Sequence, residues 1–191
     1  MAPKLILTGF MATGKSAVAR ALAARLGWRF VDCDAEIAAR AGKSIPEIFR
    51  DSGEMQFRRL EREVIAAIAD DAIRCPHCHE PRPAVVATGG GAIVDPANCE
   101  RLKRAGLIVC LTARPEVIAR RIGASARSRP MLTQGGKPLK DRIIELLEAR
   151  REAYARAAIT IDTSHLSIEQ VVDEILRAMT AERPAKWRLS A

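Results

Sequence analysis

Three observations predict an α/β fold in which a parallel sheet lies between two layers of helices. Gly9-Phe10-Met11-Ala12-Thr13-Gly14-Lys15-Ser16 fits the pattern G-x-x-x-x-G-K-[ST] at every fixed position. Ahead of it stands a short apolar run, Lys4 to Thr8, and behind it Ala17 to Leu26 carries Val18, Leu22, Ala23 and Leu26 at helical spacing. Further on, short apolar runs of strand type keep alternating with longer amphipathic stretches, the pattern of βαβ units.

The glycine loop is suited to anion capture. Gly9 and Gly14 allow the backbone to curl so that successive N–H groups face inward, and the following helix adds the positive end of its dipole. The amides of Met11, Ala12, Thr13, Gly14, Lys15, Ser16 and Ala17 are the candidate phosphate contacts. Lys15 can reach the outer phosphates as a point charge, and the Ser16 hydroxyl suits a magnesium ion. The alternative, an ordinary strand-to-helix turn, would not require all four fixed positions. The loop therefore predicts nucleoside-triphosphate binding.

With 191 residues, 48% of them hydrophobic, the chain can bury one good core, and one domain is expected. The formal charge of +8 could suit nucleic acid, but aromatic residues make up only 4%, too few for a base-stacking platform. Small anionic substrates account for the arginines equally well, so no nucleic-acid partner is expected. No stretch approaches a membrane span, and the N-terminus enters a strand too early for a signal peptide, which predicts a cytoplasmic protein. Cys33, Cys99 and Cys110 lie in apolar or helical surroundings and read as reduced, packed thiols.

Trp28 to Val31 reads as the second strand and ends in Asp32-Cys33-Asp34. Ligands of open α/β sheets bind beyond the carboxyl ends of the strands, which brings both carboxylates near the glycine loop; period two puts them on one side. The pair offers a candidate acidic magnesium anchor, while Asp34 is also well placed to cap a helix over Ala35 to Arg40. The third strand, Ala84 to Thr88, runs into Gly89-Gly90-Gly91, and the fourth, Leu107 to Leu111, ends without an acid. That disfavours motor ATPases, and a chain whose single asparagine is Asn98 has no guanine-reading motif.

Between the second and third strands, Ser44-Ile45-Pro46-Glu47 looks like a capped helix start. Ser52-Gly53-Glu54 interrupts, and Phe57, Leu60, Val64, Ile65 and Ile68 mark the apolar face of the next helix. Arg58, Arg59 and Arg62 could be no more than a solvated face paired with nearby glutamates.

Taken together, G-x-M-x-x-G-K-S, Asp32-x-Asp34, Gly53-Glu54-x-x-Phe57-Arg58-x-x-Glu61, Gly89-Gly90-Gly91 and Arg129-Pro130-Met131-Leu132 resemble the shikimate kinases. The match runs in order from about Lys4 to about Met179. It departs at Ala12, where many members carry glycine, and at an inserted segment of about 74–83. The resemblance implies a three-layer P-loop α/β/α fold, a five-stranded parallel sheet of order 2-3-1-4-5 and a mobile lid over about 123–138. It implies a kinase that phosphorylates the 3-hydroxyl of shikimate with ATP and Mg2+, working as a monomer. Lys15 would hold phosphates, Ser16 and Asp32 would organise the metal, and Asp34 would face the ring hydroxyls as candidate base. Arg58 and Arg150 would grip the carboxylate, with Gly89, Gly90 and Gly91 approaching the ring. Arg129, on the lid, would reach the phosphates, and Arg121 resembles the adenine-stacking arginine.

Guanidinium forks match carboxylates, and three glycines at a strand end favour close approach by a ligand over a mere tight turn. Pro115 to Ile122 and Leu139 to Ala155 read as helices. The family's R-x-x-x-Y spacing to Tyr154 selects Arg150 over Arg151. A fifth strand, Ala158 to Ile161, leads into Asp162-Thr163-Ser164, similar to the family's adenine-flanking loop, and a final amphipathic helix precedes a loose tail at 182–191. Within the insertion, Cys75-Pro76-His77-Cys78-His79 matches a haem attachment string but lacks the export signal that haem attachment needs; a hydrophilic loop or a zinc site remains. Two rival functions stay open: a kinase of another small hydroxy acid such as gluconate, and a catalytically silent nucleotide-binding regulator.

Overall fold

The computed structural model describes residues 2–73, 82–123 and 138–181. Five strands, β1 (Lys4–Gly9), β2 (Arg29–Asp32), β3 (Ala84–Ala87), β4 (Gly106–Thr112) and β5 (Ile159–Asp162), form one sheet of order β2-β3-β1-β4-β5. Every pairing is parallel, with Leu5 opposite both Val85 and Leu107 in the centre. The expected strand order and the helices on both faces are present.

Alternation along the central strands divides the core in two. Leu5, Leu7, Val85, Ala87, Val109 and Leu111 point to one face, where α1 (Lys15–Leu26) and α8 (Ile168–Ala181) cover them with Val18, Leu22 and Ile175. Ile6, Val86, Ile108 and Cys110 point to the other, under α2 (Cys33–Ala41), α3 (Ile45–Ala69), α4 (Pro96–Ala105), α5 (Pro115–Ile122), α6 (Leu139–Ala149) and α7 (Arg151–Tyr154). Each fully buried aliphatic side chain contributes about 1.5–3 kcal/mol, and truncating one such as Leu22 to alanine costs about 2–5 kcal/mol. Cys33, Cys99 and Cys110 are buried free thiols, as expected.

Two local expectations need correction, and a third holds. Asp32, not Asp34, caps α2: its Oδ1 accepts from the amides of Asp34 at 3.0 Å and Ala35 at 3.4 Å. The chain turns helical at Cys33, so strand periodicity does not relate the two acids; Asp34 sits in the first helical turn instead. The interruption expected at Ser52-Gly53-Glu54 is present. Gly53 holds φ 75° and ψ 175°, a non-helical conformation close to glycine-only, so α3 is two helical halves joined at a kink. The helix expected over Leu139 to Ala155 breaks at Arg150, whose φ −110° and ψ 1° separate α6 from α7.

The Cys75 to His79 string, most of the expected lid with Arg129, Pro130, Met131 and Leu132, and the tail at 182–191 lie outside the described residues. Among the described residues no helix is long and apolar enough to cross a membrane.

Candidate active site

The site lies where β1, β2 and β3 end. Gly9 has φ 127°, and a Cβ there would collide with the Leu111 carbonyl of β4, so only glycine lets the chain turn at this point. Ala12 and Gly14 also hold positive φ, 60° and 95°, and α1 starts at Lys15 with no side-chain cap, leaving its first amides directed at the loop. Lys15 Nζ and Thr13 Oγ1 both donate to Phe10 O at 2.8 Å, which folds the lysine back across the loop. Ser16, in the first turn, is exposed.

The triple glycine is the crossing point of the remaining groups, each of its members meeting a different wall. A Cβ on Gly89 would stand 2.9 Å from Glu61 Oε1 and 3.1 Å from Asp34 Oδ1. On Gly90 it would stand 3.3 Å from Gly9 O, 3.4 Å from Met11 N and 3.6 Å from Arg150 Nη1. On Gly91 it would press on the Arg58 guanidinium, 2.8 Å from Nη1 and 2.9 Å from Nη2. Three residues in a row without side chains thus allow acid, glycine loop and both arginines to close on one spot. Beside them opens a cavity of about 560 Å3 lined by Glu54, Arg58, Arg62, Gly91, Asp95 and Arg150.

Arg58 and Arg150 reach this spot from different helices. The kink at Gly53 sets the second half of α3, where Arg58 Nη1 donates to Glu61 Oε2 at 2.7 Å. Arg150, at the break between α6 and α7, is 5% exposed. It donates to Gly90 O at 3.2 Å and lies over the Phe10 ring, 5.6 Å from its centre. Arg151, its neighbour, is exposed and pairs with Glu148.

Glu61 is 1% exposed, and its Oε1 has no hydrogen-bond partner among the described residues. Burial raises its carboxyl above the ordinary glutamate range, with Arg58 opposing and Asp34 adding to the rise. Sequence reasoning quoted Glu61 in the motif without giving it a part in the site; its i,i+3 spacing from Arg58 is the signal that could have found it. Thr163 was likewise underrated. Its hydroxyl lies 3.2 Å from Thr13 O and 3.0 Å from Thr112 O, and accepts from Arg121 Nη1 at 2.9 Å while Arg121 Nη2 donates to Thr163 O at 2.6 Å. The loop after β5 is thereby tied to the glycine loop and to α5.

A profile described as shikimate kinase matches residues 11–180. The chain belongs to the shikimate kinase family. It is 47% identical to a shikimate kinase of Geobacter sulfurreducens over 171 residues, covering 90% of this chain and 87% of that one. It is 41% identical to a shikimate kinase of Caldanaerobacter subterraneus subsp. tengcongensis over 174 residues, 91% of this chain and 94% of the relative. A solved shikimate kinase from Acinetobacter baumannii, in complex with shikimate, superposes with a TM-score of 0.83 at 32% identity, over 96% of both chains. Shikimate kinase membership makes this chain an ATP-dependent transferase.

The donors present suit magnesium. Asp32 spends Oδ1 on its helix cap and keeps Oδ2 without a hydrogen bond among the described residues, and Ser16 supplies a hydroxyl. Both are hard oxygen donors. Among the described residues no three His, Cys, Asp or Glu side chains gather into a metal cage, and magnesium needs none, because substrate phosphates and waters complete its shell.

Proposed function

We propose that this shikimate kinase transfers the γ-phosphoryl group of ATP to the 3-hydroxyl of shikimate by the following division of labour. The observation that carries it is the meeting at the triple glycine of Asp34, Arg58, Arg150 and the glycine loop. A ligand with a carboxylate at one end and a hydroxyl at the other fits that layout: the arginines hold the first, and the second is turned toward Asp34 and the loop.

The amides from Met11 to Ala17 and Lys15 hold the β- and γ-phosphates. Ser16 and, through water, Asp32 would hold a magnesium ion, whose charge would offset that of those phosphates. Asp34 orients the attacking hydroxyl and accepts its proton late in the step, because an alcohol is too weak an acid to be deprotonated beforehand. The P–O bond to the departing ADP breaks as the bond to the shikimate oxygen forms. Little covalent chemistry falls to the protein, so positioning and charge neutralisation carry the rate. Arg121 and the Thr163 loop border the adenine, and Arg129, which lies outside the described residues, is the further candidate for the phosphates. All these groups come from one chain, so a monomer suffices.

The test is ADP release by purified protein with ATP, magnesium and shikimate, with the product identified by phosphorus NMR, beside a parallel reaction with gluconate. Turnover of gluconate and not shikimate would replace the substrate. Binding of ATP with no turnover of either would replace the kinase by a regulator.

A further inference from the structure

Arg58 is given the substrate carboxylate in the reading above, yet two carboxylates of its own helix already engage it. Its Nη1 donates to Glu61 Oε2 at 2.7 Å, while Nε and Nη2 both donate to a single oxygen, Oε1 of Glu54, at 3.2 and 3.0 Å. The two contacts differ in kind. The Glu61 side chain is 2% exposed, whereas the Glu54 side chain is 47% exposed at the open side of the guanidinium, which is itself 24% exposed. Breaking the Glu61 contact would strand a buried charge, but Glu54 can swing into water at little cost.

The Nε–Nη2 edge is the side-on fork that a planar carboxylate takes with two parallel bonds. Glu54 fills it with one oxygen only, a poorer fit than a freely docking carboxylate could make. Glu54 also follows Gly53 directly, so it opens the second half of α3 at the kink, and it lines the same 560 Å3 cavity as Arg58, Gly91 and Arg150.

We propose that Glu54 is a built-in stand-in for the substrate carboxylate: it occupies the side-on edge of Arg58 and yields that edge when a carboxylate ligand docks. The proposal rests on the reading of Arg58 as a carboxylate-binding residue. A tethered carboxylate acts at an effective concentration in the millimolar range, so it keeps small monodentate anions off Arg58. A ligand that also reaches Arg150 and the triple glycine can outcompete it. The stand-in thus exchanges some affinity for selectivity.

Calorimetric binding of shikimate without nucleotide tests this on wild type, Glu54→Gln, Glu54→Ala, Glu63→Gln and Arg58→Ala. Glu63, half exposed and paired with Arg59, controls for the loss of one negative charge from the same helix. Both Glu54 variants should bind shikimate about two- to fivefold tighter, the share of an exposed ion pair removed from competition, with Glu63→Gln unchanged. Shikimate methyl ester should show no gain, and acetate should become a better competitor. Equal or weaker shikimate binding by the Glu54 variants, or an equal gain in Glu63→Gln, overturns the stand-in. If Arg58→Ala binds shikimate as well as wild type, it is the reading of Arg58 that fails.

Discussion

Arg150 and Tyr154 donate to one and the same atom, the carbonyl oxygen of Gly90, at 3.2 and 2.6 Å. The two residues are four apart and so share one face of the short helix that Arg150 opens, where the Tyr154 amide bonds back to Arg150 O at 3.0 Å. Burial pushes the Tyr154 phenol up to about 12, so it remains a donor throughout the neutral range. Tyr154→Phe should cost about 1 kcal/mol of stability, read as a lowered Tm, and raise the KM for shikimate through a looser glycine triplet. An unchanged Tm and KM would deny the phenol its anchoring part.

Gly91→Ala places a methyl group within 3 Å of both terminal nitrogens of Arg58. The guanidinium must move, and misplacement by about 1 Å can cost up to about 100-fold. Steady-state kinetics should show the shikimate KM raised about tenfold or more. The ATP KM should stay close to wild type, because the methyl group faces α3 and not the phosphate loop.

Asp34→Asn keeps the shape and removes the proton acceptor. Turnover should fall by about 10²–10⁴-fold, while ATP affinity measured by calorimetry stays nearly intact. Loss of both together would point to a folding defect rather than a catalytic one.

Glu61 predicts a pH dependence. Its folded-state carboxyl is raised above the value of 4.5 it has when unfolded, so the protonated form is favoured by folding. Its stabilising contribution is complete below about pH 4.5 and is lost as the pH rises through the raised folded value. Glu61→Gln cannot ionise and lacks that loss. The Tm of wild type minus that of the variant should therefore shrink as the pH climbs from 4.5 toward neutrality; a widening gap would show that pairing with Arg58 outweighs burial.

Ala12 holds φ 60° in the phosphate loop, a left-handed conformation that costs an L-residue about 1–2 kcal/mol. Glycine would remove that strain but add freedom to the unfolded chain, about 0.4–1 kcal/mol the other way. Ala12→Gly should leave stability unchanged or raise it by up to about 1.6 kcal/mol in denaturant titration, with turnover retained.

Much of the molecule was legible from residue types alone. The unbroken apolar run of Leu5, Ile6 and Leu7 announces a strand buried on both faces, and Gly9 through Ser16 announces the turn and the helix that follow it. The choice of Arg150 over Arg151 was also open to sequence reasoning through its spacing to Tyr154, and the two side chains do differ, one buried and one exposed. Errors came where one local preference competed with another. Asp32 and Asp34 are both good caps, and the decision fell to where β2 stopped pairing with β3, which is at Asp32 and Ala87. The helix through Arg150 has no glycine or proline to announce its break.

What residue order alone determined is the set of parts whose physics is local: the curl of a glycine loop, the apolar period of each strand and helix, and the stock of acids and arginines available. What only the tertiary structure decided is which of those parts face one another. Glu61 and Asp34 meet over Gly89, and Arg150 meets Phe10 and Gly90, across separations in the chain that no local period encodes. Those meetings depend on the strand order and on how α3 and α6 bend over the sheet, and it is long-range packing that sets both.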